Sequence, residues 1–423
     1  MFADLHAHLY GCFSPQSLFA IGKNNPAPKW ERFIPEFERV FGQKIKTDTF
    51  FRDYADPEKF RKLYVMDHPG TFEQFQSRFN LIIALTRFDE NEIYETAIQV
   101  VAERINTGLG EYRIMYSPFE TDEGYIRKTI AACEGFRDAG SERQGRLSLS
   151  LHRQGDYLHK YRLIRDLMAK NSTVRDYLTS IDFCAVEEGN PPSEKREFLK
   201  IVKDDNRSDP SSSLAVLYHV GESYQDKSPG SAVRWVIEAA RFGAHRLGHC
   251  IALGKDHQPL EIYRESAGER KAQLTFELEN YESIINYGEL SRRDKLEKEL
   301  RLLQNTENDA IIEIPGSSSF TEELTALQQF GIAELKSLGT VVESCPTSNI
   351  RIGMLKNIQG HPVKKFADSG LKLTIGTDDY GIFATDMETE YELAGGAGIS
   401  AEKLDEIRKN SFSYRSEILS GRK

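Results

Sequence analysis

His6 and His8 stand two positions apart at the end of a short apolar run. In an extended strand both imidazoles share one face. Two imidazoles converging on one point are half of a zinc site. His219 ends another run, in Leu217-Tyr218-His219-Val220-Gly221-Glu222. Gly221 lets the chain turn sharply after that strand. The turn brings Glu222 beside a metal held by His219, where a carboxylate is suited to shuttling protons. Asp378 and Asp379 end a third run, and one of their oxygens would complete a His₃Asp set with a position left for water. His249 closes Arg246-Leu247-Gly248-His249 and is open to three readings: a fourth nitrogen ligand, a charge stabiliser or a packed core histidine. Each fragment also has a bland reading, such as an incidental H-x-H, a core histidine or a loop cap. Taken together, four strand ends carry the residue types of one hydrolytic metal site.

The elements that must position these residues alternate. Short β-branched and apolar runs at 2–6, 112–117, 147–152, 180–186, 214–219, 245–249, 340–345 and 371–376 are separated by helix-like stretches. Eight strand–helix repeats predict a closed (β/α)₈ barrel of the TIM type. Its active site belongs at the C-terminal mouth, where the histidines and acids fall. We expect a single domain over 1–423, with a helical insertion at about 20–108 covering that mouth and a second insertion at about 254–338. Aromatic residues between 50 and 79 read mostly as helix packing. The polar stretch 190–213, with Pro-Pro, Asp-Pro and Ser-Ser-Ser, reads as a loop.

Composition narrows the class further. The 423 residues carry a net charge of −10, which argues against a protein built to grip nucleic acid. Hydrophobic residues make up 39% of the chain, enough for a sizeable core. The five cysteines are scattered without a C-x-x-C pair, so a reducing compartment is the simpler expectation. No apolar run reaches the roughly 18 residues of a spanning helix. These features predict a soluble, cytoplasmic protein with no membrane and no nucleic-acid polymer as partner, and they leave room for a nucleotide-sized ligand. Oligomerisation through the insertions is left open.

The set resembles the adenosine deaminase family of metal-dependent barrel hydrolases. The matching text is Asp4-Leu5-His6-Ala7-His8-Leu9 with Gly11, His219-Val220-Gly221-Glu222, Arg246-Leu247-Gly248-His249, Ser344-Cys345-Pro346-Thr347-Ser348-Asn349 and Thr377-Asp378-Asp379. Weaker matches are Tyr116-Ser117-Pro118 and Asp182. The resemblance implies that His6, His8, His219 and Asp378 bind one zinc ion per chain. It implies that Glu222 protonates the purine ring nitrogen beside the reacting carbon. His249 would orient the attacking hydroxide and stabilise the developing alkoxide rather than bind metal. Asp379 would hydrogen-bond the purine. The implied activity is deamination of adenosine, deoxyadenosine or a similar purine, with release of ammonia.

Several positions depart from the family. Tyr10 stands where an acid or amide usually meets the sugar, Ala185 where a glycine backbone approaches the purine, Cys250 where a small residue follows His249, and Tyr380 where a proline follows the aspartates. Tyr10 and Ala185 are therefore the candidate substrate contacts that differ. His152-Arg153 reads either as a contact to a phosphate or sugar or as a surface salt bridge; His68, His159, His257 and His361 read as surface or structural. Two other functions compete: a zinc hydrolase of the same barrel acting on an amide, lactone or phosphoester, and a non-catalytic nucleoside-binding protein on a deaminase scaffold. Glu222 beside a metal histidine argues for heteroaromatic deamination over both.

Overall fold

β1 (Phe2–His8), β2 (Thr107–Ile114), β3 (Gln144–Ser150), β4 (Leu178–Phe183), β5 (Ala215–Val220) and β6 (Arg246–His249) pair in parallel and in chain order. The antiparallel pair β7 (Ile262–Ser266) and β8 (Ile311–Pro315) forms a separate ribbon, and β9 (Val341–Ser344) and β10 (Lys372–Ile375) complete the eight-stranded sheet. This computed structural model describes residues 1–140, 144–223, 225–257 and 261–422. The sheet closes on itself at a bridge between Ala7 and Asp378, where the Asp378 N–H donates to the His6 carbonyl at 2.8 Å and the His8 N–H donates to the Asp378 carbonyl at 2.9 Å. With helices between the strands, the architecture is the expected (β/α)₈ barrel.

The barrel interior is charged rather than aliphatic. Arg113 on β2 donates to Glu343 on β9 at 2.6 Å, and Arg246 on β6 donates to Glu111 on β2 at 2.6 Å and to Glu343 at 2.5 Å. All four side chains are buried. Arg113–Glu343 and Arg246–Glu111 meet across non-adjacent strands, so these side chains must point inward. Removing one partner would strand an uncompensated charge in low dielectric. Glu343 is held well below the usual carboxylate range: burial pushes its acidity the other way, but Arg113, Arg246 and His6 outweigh it.

The first insertion supplies helices between β1 and β2, among them Phe72–Leu85, whose start is fixed by a reciprocal capping box between Thr71 and Gln74. This segment lies over the C-terminal mouth. The Tyr64 hydroxyl donates to the Phe13 carbonyl at 3.0 Å, the Met66 N–H donates to Ile382 at 2.7 Å, and Phe75 stacks on Phe383 at 5.4 Å. The second insertion holds the ribbon and the charged helix Arg293–Leu303. Glu265 of β7 reaches back to cap the helix Pro229–Arg241, accepting from the Ser228 N–H and the Ser231 hydroxyl at 2.9 and 2.8 Å.

The structure differs from the sequence expectations at three places. The stretch 190–213 contains the helix Arg196–Ser208 rather than only a loop: Phe198, Leu199 and Val202 form its buried stripe, and Pro191 and Pro192 lead into it where prolines are tolerated. The ribbon was not anticipated, because Ile262, Ile311 and their neighbours alternate with charges and leave large side chains exposed. The second barrel strand also starts at Thr107, five residues earlier than its apolar run, since Glu111 and Arg113 face inward. Among the described residues no helix is long and apolar enough to cross a membrane.

Candidate active site

Four strand ends converge at the mouth. His6 and His8 end β1, and their rings lie 4.6 and 5.4 Å from that of His219 at the end of β5. The His6 ring lies 4.9 Å from that of His249, which ends β6. Ligand atoms of His6, His219, His249 and Asp378 lie within 4.8 Å of one another, and those of His8, Asp378 and Asp379 form an overlapping group. Asp378 Oδ1 stands 3.2 Å from His8 Nε2 and 3.5 Å from His6 Nε2.

The donor chemistry fits a divalent cation. Nε2 of His6 and Nε2 of His219 are buried without a hydrogen-bond partner. Their other nitrogens are engaged: His6 Nδ1 meets Glu343 at 2.8 Å and His219 Nδ1 meets Asp182 at 3.1 Å. A carboxylate behind a histidine fixes the tautomer that leaves Nε2 free for metal. Ser348 donates to Asp378 Oδ2 at 2.6 Å, so Oδ1 is the oxygen left for the histidines. Burial drives the His219 imidazole down to about 4 against the pull of Asp182, which leaves it neutral at pH 7, the form a metal would need. Burial presses Asp378 toward its neutral form, yet the adjacent imidazoles of His6 and His8 hold it well below the usual carboxylate range.

Backbone geometry aims these groups. The strand ends turn through the left-handed region at Ala185 (φ 64°), Gly221 (φ 68°), His249 (φ 66°), Cys250 (φ 53°) and Asp378 (φ 59°). Side-chain-bearing residues rarely sit there, and such strain concentrates at functional sites. At Gly221 a Cβ would also meet Val236 at 2.7 Å, so the turn tolerates only glycine. The buried Glu187 carboxylate ties this turn down by accepting the N–H groups of Gly221, Glu222 and Ser223 at 3.0, 3.2 and 3.3 Å. Glu222 is thereby set with Oε2 3.5 Å from His249 Nε2. Burial, followed by the charge of Asp378, raises the Glu222 carboxyl well above its ordinary value. That shift favours its protonated form beside the His/Asp cluster.

The remaining expected residues are placed as follows. Asp379 is buried with Oδ1 unpartnered, and it sits so close to Gly11 that a Cβ there would lie 1.7 Å from that oxygen. Tyr10 is buried, and its hydroxyl donates to Glu92 at 3.1 Å; Glu92 also accepts from the N–H groups of Arg87 and Phe88, each at 2.9 Å. The Tyr10 hydroxyl is thus committed within the protein. Ala185 is exposed at the end of β4 and keeps the left-handed backbone that glycine would adopt freely. His152 meets the Tyr116 carbonyl at 2.8 Å. Arg153 is buried and donates to the carbonyls of Cys184, Phe183 and His219 at 3.0, 3.2 and 2.6 Å, so it braces the β4 and β5 ends rather than forming a surface salt bridge. Cys250 is a packed, buried thiol.

Sequence reasoning passed over Glu343 and Glu187, and it read His361 as surface or structural. Glu343 and Glu187 had one available signal: acidic residues within otherwise apolar strand text or directly after it.

Residues 328–417 match the adenosine deaminase family model. The chain is related to that family. The matched span holds Ser348, Asn349, Asp378 and Asp379 but none of the site histidines at 6, 8, 219 and 249, whose place beside them comes from the geometry. An adenine deaminase of Rhizobium johnstonii is 37% identical over 82 residues, 19% of this chain and 26% of that protein. An aminodeoxyfutalosine deaminase of Acidothermus cellulolyticus is 36% identical over 73 residues, 17% of this chain and 20% of that one. The aligned stretch therefore spans about a quarter or less of these relatives' length. The solved apo N6-methyl-AMP deaminase of Arabidopsis thaliana superposes with a TM-score of 0.59 over 98% of this chain and 91% of its own, at 17% identity, a likeness of fold.

Proposed function

We propose that the chain is a zinc-dependent hydrolytic deaminase of an adenosine-like purine. The observation that carries this reading is the Glu222 carboxyl, raised by burial and set beside His249 and the His/Asp cluster. An amide, lactone or phosphoester hydrolase has no ring nitrogen to protonate, whereas deamination of a heteroaromatic amine does. The relatives whose names specify adenine or aminodeoxyfutalosine support the reaction class and differ in substrate.

His6, His8, His219 and Asp378 would hold one zinc ion. When bound, zinc supplies Lewis acidity that brings the ionisation of water near neutral pH. The chain's own residues do the rest. Glu222 gives its proton to the ring nitrogen adjacent to the amino-bearing carbon, which makes that carbon electrophilic. His249 faces the same point and supports the oxygen that adds there. Asp379 offers its unpartnered Oδ1 to the purine edge. Ala185 presents its backbone at the pocket mouth, and Tyr10 takes part through its ring, since its hydroxyl serves Glu92. Water adds, ammonia leaves, and the product is an inosine-type purine. The helices of the first insertion exclude bulk solvent from the mouth.

Ammonia release from zinc-loaded protein tests the reading across adenosine, deoxyadenosine, adenine, AMP, methylated adenosines and guanosine. Turnover of one or two adenine compounds is expected. Silence across the panel with zinc bound stoichiometrically would overturn it.

A further inference from the structure

His361 was read from sequence as surface or structural, yet it is buried and linked to His249 through Asn349. The link starts from a donor whose identity is fixed. The Val363 backbone N–H points at His361 Nδ1 at 3.0 Å. A backbone amide can only donate, so Nδ1 carries no proton. Burial drives His361 down to about 3, so the ring is neutral and its one proton lies on Nε2. That Nε2 stands 3.2 Å from Asn349 Oδ1, which must accept. The other end of the same amide, Nδ2, stands 3.1 Å from His249 Nδ1 and must donate. His249 Nδ1 is then an acceptor as well, and its ring proton lies on Nε2, the nitrogen that faces Glu222 at 3.5 Å.

We infer that His361 and Asn349 are positioning residues that fix His249 as the Nε2-protonated tautomer. Two consequences follow. First, His249 is not a metal ligand, although its ring lies within the cluster: one nitrogen is occupied by Asn349 and the other carries a proton. Second, His249 meets the reacting oxygen as a donor and does not take a proton from water. It can stabilise negative charge developing there, as an oxyanion-type donor does. The role at the reacting oxygen rests on the deaminase reading; the proton pattern does not.

The test reads the tautomer directly. Zinc-loaded protein labelled with ¹⁵N-histidine is examined by long-range ¹H–¹⁵N correlation, with the His249 signals assigned by their loss in His249→Gln. We expect the wild-type proton on Nε2. Asn349→Asp replaces the donor by an acceptor and should draw a proton onto Nδ1. His361→Phe should lower kcat about tenfold with KM little changed, the cost of one lost hydrogen bond to the group it orients. His361→Gln, whose amide nitrogen reaches the place of Nε2, should recover most of that loss. A wild-type proton on Nδ1 would overturn the inference even if the enzyme deaminates purines. An Asn349→Asp spectrum identical to wild type would also overturn it. If no purine is turned over, the spectra alone decide.

Discussion

The His8 amide donates to the Asp378 carbonyl at 2.9 Å, while the His8 ring nitrogen stands 3.2 Å from the Asp378 carboxylate. The same two residues close the barrel with their backbones and face each other across the candidate metal group with their side chains. Anything that draws these side chains together also fastens the seam between the first and last strands.

Metal removal should therefore loosen the barrel as a whole. A ligand at about 100 times its Kd adds about 2.7 kcal/mol to stability. Chelation should lower Tm by roughly 3 °C on that basis, because a chain of this length has a large unfolding entropy. Calorimetry with and without chelator checks this, alongside metal analysis. Asp378→Ala should show reduced metal content and no further drop on chelation; full occupancy in that variant would remove Asp378 from the ligand set. His219→Ala should likewise lower the metal content.

Replacing Glu222 by Gln keeps the shape and removes the proton. We expect normal metal content and a fall in kcat of about 10²–10⁴-fold, the usual range for loss of a general acid. Unchanged turnover would sink the assigned role.

Ala185 should tolerate glycine at a gain. Its left-handed backbone costs an L-residue about 1–2 kcal/mol, against about 0.5–1 kcal/mol for the added chain entropy of glycine. Ala185→Gly should raise Tm slightly, a net of about 0.5–1 kcal/mol. A lower Tm would show that the alanine methyl makes contacts worth more than the strain.

Stability should respond to pH through Glu390, which lies outside the metal group. Burial raises its carboxyl from 4.5 to about 7, despite hydrogen bonds from Thr347 and Thr385. The folded chain therefore holds a proton that the unfolded chain has released. This contribution is complete below about 4.5 and is lost as pH rises through about 7, up to about 3 kcal/mol. His245 works in the opposite sense: burial lowers it to about 4, so acid below 6.5 favours the unfolded chain. Denaturation from pH 5 to 8 should show the Glu390 decline, and Glu390→Gln should flatten it.

The fold and the metal group were largely legible in the sequence because they rest on short-range pattern. A histidine pair at spacing two, a His-Val-Gly-Glu turn and a Thr-Asp-Asp strand end each announce themselves locally. Their supports do not. Glu343 reaches His6 across 337 residues of chain, and Glu187 meets Gly221 from 34 residues away. Such pairings exist only once the barrel closes. The interior charges were hidden by a further cause: in four-residue strands such as Arg246–His249 and Val341–Ser344, the alternation is too brief to show which face is inward. Hydropathy then assigns arginine and glutamate to solvent by default. The helix Arg196–Ser208 was obscured by its prolines and serines, which lie at its ends rather than within it.

The seam at Ala7 and Asp378 also sets the order in which the molecule can be finished. Synthesis proceeds at about 5–20 residues per second, and long-range strand pairing must wait for both partners. His6, His8, His219 and His249 all leave the ribosome well before Asp378. Through that interval the first strand has β2 on one side and an open edge on the other, the kind of edge that recruits wrong partners. A nascent chain thus carries every histidine of the site while still lacking the residue that shuts it.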